Sequence, residues 1–336
     1  MILRRVLALI LFATLSFVAC DSGSRNAGEE AAVPGAGSDR AWAIAIHGGA
    51  GSSPDSRTQA ENDAYLASLR SALRKGTSIL EEGGTALDAV EQVILLLEDD
   101  PLFNAGKGAV FNHDGRHELD ASLMDGESLG CGAVAGVTTV KNPISLARLV
   151  MERTRHVLLG GVGADRFAEE MGVEPVGQDY FYTQGSHDSL QRFLKSERRE
   201  AGEHGTVGAV ALDRAGNLAA GTSTGGLTGK KHGRVGDSPI IGAGTYAKNA
   251  TCAVSGTGVG EEFIRHGVAQ RISDLMEYRG LSLDSAAQQV IALLDEGVGG
   301  VIAVGHDGTI SLVFNTAGMA RGAADSTGRF DVQLGR

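Results

Sequence analysis

The stretch that decides the fold runs from Gly202 to Asp213, GEHGTVGAVALD. Polar, charged chain up to Gly205 gives way at Thr206 to a run in which Val207, Ala209, Ala211 and Leu212 read as a buried strand. No turn or helix cap prepares that start. Taken alone, a hydroxyl residue heading a strand is structural. Its neighbours change the reading. Thr206 is β-branched, so the direction of its hydroxyl is restricted. Gly205 reaches backbone conformations that expose or strain the peptide carbonyl, and the polar run over 185–205 reads as a releasable tail. Those are the conditions for a hydroxyl to attack the carbonyl that precedes it. The product is an N-terminal threonine whose α-amino group, with a reference pKa of about 7.7–8.0, serves as base to its own hydroxyl. No histidine triad is then needed.

The rest of the composition frames that possibility. With 336 residues, 42% of them hydrophobic, the chain is long enough for a sizeable core. A formal charge of −11 argues against a nucleic-acid partner, because phosphate binding needs clustered Lys and Arg. Much of the glycine sits in short motifs such as HGGAG, NAGKG, STGG and GAGTY between strand-like runs, which suggests tight turns beside a ligand rather than a linker.

Patterning predicts a strand in AWAIAIHGGAG (41–51), a helix over 58–82 stopped by Gly83-Gly84, and a second helix capped by Thr85 and closed by Pro101. CGAVAGVTTV (131–140) reads as a buried strand, and Asn142-Pro143 opens a helix. A short helix fits within 185–205. Strands follow at 207–212, 218–222, 239–242 and 251–255, helices at 260–276 and 283–296, and a hairpin turned at Asp307-Gly308. Strands in blocks with helices grouped between them predict an α+β fold of sheets covered by helical layers.

Several motifs fail. No G-x-G-x-x-G or G-x-x-x-x-G-K-[ST] is present. His113 and His117 lie four apart in a Gly-containing turn without a metalloprotease context and read as structural. GTSTG (221–225) matches a nucleophile elbow at Ser223, with Asp237 and His266 or His306 to complete a triad, but the following GLTGKKHGR cannot form the required helix. Cys131 and Cys252 sit in apolar runs as small buried hydrophobes; two cysteines make no disulfide framework and leave their pairing open.

The sequence HGTVGAVALD…GNLAAGTSTGGLTGKKHGRVGDSPIIGAGTYA resembles the plant-type L-asparaginase/isoaspartyl peptidase family of N-terminal-nucleophile (Ntn) hydrolases. AIHGGAG, DAVEQVILLLEDDPLFNAGKGAVF, HELDASLMDG, GAVAGV, NPISLARLVME, SGTGVGEEFIR and FNTAGM extend the resemblance over nearly the whole mature chain. It implies a four-layer αββα sandwich, cut between Gly205 and Thr206 into an α piece (41–205) and a β piece (206–336). It makes Thr206 the nucleophile, Thr224 its support and Asn104 part of the oxyanion site. Thr257 and Gly258 match the oxyanion-stabilising and carboxylate-facing turn. Arg234 and Asp237 match the pair that grips the substrate's α-carboxylate and α-ammonium, a charge arrangement complementary to an amino-acid head. The implied substrates are small molecules, L-asparagine and β-aspartyl dipeptides. No organic cofactor is required; a sodium-like ion on the backbone carbonyls of Leu97, Glu98, Asp100, Phe103, Ala105 and Lys107 is implied by analogy, as is a dimer of cleaved αβ units.

Glycosylasparaginase is the alternative. Those relatives share HGRVGDSP but place Asp before the nucleophile, so Gly205 favours the asparaginase branch while His232 points the other way. Ala317 and Ala320, where members often carry Glu and an aromatic, leave the substrate range open. A different class, a cleavage-dead exported amino-acid-binding lipoprotein, is disfavoured by the retention of Thr206, Thr224, Thr257 and Asn104 together. At the N-terminus, Arg4, Arg5 and the apolar run 6–18 form a leader. FVAC ending at Cys20 resembles a bacterial lipoprotein signal, with Phe17 where leucine is usual; a secretory leader cut near Ala19 is the other processing. Residues 21–40 read as a flexible tether, and the expectation is an exported, periplasmic or envelope protein, lipid-anchored through Cys20 and otherwise free of the membrane.

Overall fold

Alternation of small and branched apolar residues in AIAIHGGAG builds β1 (Ala43–Gly51), a strand of one sheet that packs on the first long helix and against the second sheet. The computed structural model describes residues 41–51, 53–196 and 205–335. The leader, Cys20 and the tether lie outside them.

The order is β1, α1 (Gln59–Glu81), α2 (Ala86–Glu98), β2 (Leu119–Asp125), β3 (Cys131–Val137), α3 (Pro143–Arg153), β4 (Leu158–Gly160), α4 (Gly161–Glu170) and α5 (Gln184–Lys195). After Gly205 come β5 (Val207–Leu212), β6 (Leu218–Thr224), β7 (Thr245–Ala247), β8 (Cys252–Gly258), α6 (Gly260–His266), α7 (Val268–Arg279) and α8 (Leu283–Ile291). The chain then closes with β9 (Gly299–Gly305), β10 (Ile310–Phe314), β11 (Gly318–Asp325) and β12 (Phe330–Gln333). Helices and largely antiparallel sheets make this an α+β fold.

Eight strands form one sheet in the order β12-β11-β1-β5-β6-β2-β3-β4, and four form a second, β10-β9-β8-β7. Strand alternation sends side chains to opposite faces, which separates three cores. Ile44, Ile46, Val207 and Ala209 pack under Leu69, Leu73, Val90 and Ile94 of α1 and α2. Ala43, Ala45, Val210 and Leu212 meet Ala253, Ile302 and Val304 between the sheets. Val254, Val301 and Ala303 face Ile272 and Val290 of α7 and α8.

The helices expected from 58 and from Thr85 form, each with a side-chain cap. Thr58 and Glu61 form a reciprocal capping box at α1, and Thr85 accepts from the Asp88 N–H at α2. The predicted single helix over 260–276 is broken by Gly267, in the left-handed region at φ 57°, and the next helix ends at Ile291 rather than 296. Residues 239–242 are not a strand. Asp237 O accepts from Ile240 N and Ile240 O from Ala243 N, so the chain turns there and the strand begins at Thr245. Cys131 and Cys252 are both free thiols.

Candidate active site

Register places Thr206. Val207 faces Ser223 across β5 and β6, so Thr206, one residue earlier, stands opposite Thr224. The Thr206 hydroxyl donates to the Thr224 hydroxyl at 3.1 Å. Thr224 Oγ1 in turn donates to the Gly205 carbonyl at 3.1 Å and accepts from the Gly226 N–H at 3.0 Å. Asn104 closes the arrangement from the loop after α2. Its Nδ2 donates to Gly205 O at 2.9 Å and Gly226 O at 2.7 Å, and its Oδ1 accepts from Val110 N at 2.9 Å. With donors and acceptor all engaged, the amide has one orientation. The Gly205 carbonyl next to Thr206 therefore carries two hydrogen bonds from protein donors.

Behind Thr206 lies a buried chain of hydroxyls that spacing alone does not reveal. His47 of β1 reaches Thr206 O through Nδ1 at 3.0 Å and Ser255 Oγ through Nε2 at 2.9 Å. A carbonyl only accepts, so Nδ1 carries the proton and Ser255 donates to Nε2. Ser255 sits 2.7 Å from Thr222, which accepts from Thr245 at 2.6 Å, and Ser122 is 2.8 Å beyond. Burial pushes the His47 imidazole down to about 3 against the opposing bond to Thr206 O, so it is neutral. Gly208 makes room for this contact, because a Cβ there would lie 2.1 Å from Ser255 Oγ and 2.3 Å from His47 Nε2.

Thr257, on β8, accepts from the Ala50 N–H at 3.1 Å, which orients its hydroxyl and leaves its proton free to donate. Arg234, Asp237 and Gly258 line one narrow crevice with Gly205, Thr206 and Thr224. Its volume of about 10 Å³ holds roughly one water. Arg234 is held by a bidentate pair with Glu261 at 2.9 and 2.8 Å rather than by Asp237. Asp237 is buried with Oδ2 unpartnered among the described residues, and burial pushes its carboxyl up to about 7. An unpaired buried carboxylate facing a guanidinium is the counterpart of an ammonium–carboxylate pair on one small ligand.

The serine-elbow alternative has no geometry. Ser223 points to the opposite face of β6 from Thr224 and donates to Glu98 Oε1 at 2.6 Å. His306 binds Thr251 O, and His266 lies beside Glu262. Glu98, also bound by the Ile144 N–H at 3.0 Å, is raised by burial to about 8. Among the described residues no group of three or more His, Cys, Asp or Glu could hold a metal. The loop 97–107 suits a different kind of site. At Gly106, φ 50°, a Cβ would lie only 2.3 Å from Glu98 O, so the two backbone segments pack closely there. The Asp100, Phe103 and Ala105 carbonyls turn back on the same loop, accepting at 3.3, 2.9 and 3.2 Å with a second lone pair to spare. Backbone carbonyls are hard oxygen donors of the type an alkali cation takes.

His47, Ser255 and Glu261, and the side chain of Glu98, were not legible from the sequence. His47 was visible only as part of HGGAG, and Glu261 only as one of two glutamates in GVGEEFIR. Their partners lie 27 to 208 residues away.

The profile of the family described as Asparaginase matches residues 40–334. The isoaspartyl peptidase of Salmonella typhimurium is 49% identical over 83% of this chain and 93% of its own length. The isoaspartyl peptidase of Escherichia coli is 48% identical, covering 83% and 91%. A probable isoaspartyl peptidase/L-asparaginase 2 of Arabidopsis thaliana is 44% identical, covering 87% and 98%.

Proposed function

The chain belongs to the asparaginase family of Ntn hydrolases, and on that premise we propose that it is an autoprocessed threonine hydrolase of β-aspartyl dipeptides and of the L-asparagine side-chain amide. The observation that carries the reading is the Gly205–Thr206 junction, where a nucleophile and a doubly hydrogen-bonded carbonyl occupy adjacent positions.

In the first step Thr206 Oγ adds to the Gly205 carbonyl carbon while its proton moves to Thr224, whose own proton goes to the developing oxyanion. Asn104 Nδ2 stabilises that oxyanion. Collapse re-forms the carbonyl and breaks the C–N bond as the proton taken up by the oxyanion passes to the Thr206 nitrogen, transferring the acyl group to Oγ. Water then hydrolyses the ester, leaving a Gly205 carboxylate and a free Thr206 amine. In turnover the amine takes the Thr206 hydroxyl proton as Oγ attacks the substrate's β-carbonyl, then gives it to the departing nitrogen. Thr257 and the Gly258 N–H receive the oxyanion, and water releases aspartate from Thr206. Arg234 and Asp237 hold the α-carboxylate and α-ammonium.

In the same reading, helices, two sheets and helices form the four-layer αββα sandwich, the cleaved units pair as a dimer, and an N-terminal leader exports and lipid-anchors the protein. The carbonyls of Leu97, Glu98, Asp100, Phe103, Ala105 and Lys107 would hold a sodium ion that stiffens the loop bearing Asn104. Gly205 and the names of the relatives favour this branch over glycosylasparaginase.

A denaturing gel tests it. The wild-type protein gives two fragments joined at Gly205/Thr206, and Thr206→Ala gives one chain with no β-aspartyl hydrolysis. Normal cleavage in that variant would sink the assignment.

A further inference from the structure

A second cavity of about 440 Å³ opens on the other side of Gly205 from the crevice that holds Arg234 and Asp237. Its size falls in the range of small-molecule pockets, roughly 300–1,000 Å³. Gly205 lines both spaces, so they meet at the residue that precedes Thr206. Once the bond to Thr206 is cut and the Gly205 end moves aside, the two spaces would be continuous beside Thr206.

The walls of this groove carry two guanidinium groups. Arg57 comes from the turn before α1, and its guanidinium carbon lies 4.5 Å over the Tyr65 ring. Tyr65 is itself fixed, donating to Leu102 O at 2.7 Å and meeting Phe103 edge-on at 5.4 Å. Arg192 comes from α5, with one bond to Ser189 Oγ at 2.9 Å. Neither arginine forms an ion pair within the described residues. Among the described lining residues Glu61 is the one carboxylate; it accepts from the Thr58 N–H and hydroxyl, both at 2.7 Å, as the cap of α1. It stays charged, its pKa lowered by those bonds and by the nearby Arg57, so the described walls set two guanidinium groups against one capped carboxylate.

A β-aspartyl dipeptide held by its aspartyl head at Arg234 and Asp237 extends its other half past Thr206, into the space Gly205 vacates. That half ends in a free α-carboxylate. We infer that the groove is a leaving-group subsite, in which Arg57, with Arg192 opposite, binds the α-carboxylate of the amino acid released from a β-aspartyl dipeptide. The inference rests on the β-aspartyl reading above and adds a reason for the enzyme to prefer dipeptides over asparagine, whose leaving group is ammonia. Guanidinium groups suit a planar carboxylate in two-point contact, and the ring under Arg57 holds it ready.

The test uses the self-cleaved enzyme and three substrates: β-Asp-Leu, the same dipeptide with its C-terminus amidated, and L-asparagine. The wild-type enzyme is expected to favour the free acid over the amide by about tenfold in kcat/KM, the scale of one charge-assisted contact at a partly wet site. In Arg57→Ala that ratio collapses towards one, and the ratio of β-Asp-Leu to L-asparagine falls by a similar factor. Arg192→Ala moves both ratios in the same direction, and Arg57→Lys restores part of the preference. Two-fragment gels show that each variant has folded and cleaved. Equal rates for acid and amide in the wild type, or unchanged ratios in both alanine variants, would overturn the subsite alone. A fully cleaved wild-type enzyme that hydrolyses none of the three would overturn the underlying reading as well.

Discussion

The side-chain amide of Asn104 donates to the carbonyl oxygen of Gly205 at 2.9 Å across 101 residues of sequence. In the proposed self-cleavage, that bond sits where negative charge would develop. Removing one such donor typically costs about 10²–10³ in rate. Asn104→Ala is expected to slow self-cleavage by that order while the fold persists, followed as the loss of the full-length band with time. Wild-type cleavage rates in this variant would remove Asn104 from the oxyanion site.

His47 supplies a positioning test. Its Nδ1 holds the Thr206 carbonyl, and burial keeps the ring uncharged, so it does not titrate in the working range. His47→Leu leaves that carbonyl without its donor and should slow cleavage, whereas His47→Asn, whose amide nitrogen falls near the Nδ1 position, should recover much of the rate. The pH profile of cleavage should show no step near the ordinary histidine value of about 6.5. Such a step, lost in His47→Asn, would contradict a neutral imidazole.

Asp237 predicts how binding follows pH. Its carboxyl is raised to about 7 by burial, so it is protonated below that value and charged above it. Only the charged form attracts an ammonium. The KM for β-Asp-Leu should therefore fall as the pH is raised through about 7, with kcat changing less. Asp237→Asn should have a high KM throughout and no such slope. A pH-independent KM in the wild type would count against the role.

Glu98 predicts how stability follows pH. Its pKa rises from an unfolded value of 4.5 to about 8, so its contribution is fully present below the unfolded value and is lost as pH climbs through the folded one. Glu98→Gln keeps an acceptor for Ser223 and the Ile144 N–H without the charge. Its Tm, measured in the uncleaved Thr206→Ala background, should decline less than that of the parent between about pH 5 and pH 9, by roughly 2–4 °C for each kcal/mol involved. Parallel curves would show that Glu98 does not ionise in this range.

Where the sequence was readable, a local cause produced a local structure. Thr58, Thr85 and Pro143 marked helix starts because capping is settled within a few residues, and 207–212 was legible as a strand from its own alternation. β11 was missed because GMARGAAD contains no β-branched residue; its small side chains serve a strand packed between β1 and β12 with both faces covered. The candidate nucleophile Thr206 was proposed from one junction, and the resemblance supplied Thr224, Asn104, Arg234 and Asp237, which the fold gathers around it. The His47–Ser255 contact was not, because it joins β1 to β8 through the gap at Gly208 and exists only when two sheets are stacked.

The strand order of the large sheet has a mechanical consequence for any break at Gly205. Strands from before the break and after it are interleaved: β12 and β11, then β1, then β5 and β6, then β2, β3 and β4. β1 is hydrogen-bonded on both edges to later chain, and β6 is bonded on its outer edge to earlier β2. Severing the peptide bond thus cuts a thread without opening the weave. The two products are laced together by sheet bonding at three seams and should co-purify as one particle under native conditions, parting only when the whole fold is lost. The new terminus at Thr206 likewise begins one residue before a strand held on both flanks, so freeing the amine does not loosen the residue that carries it.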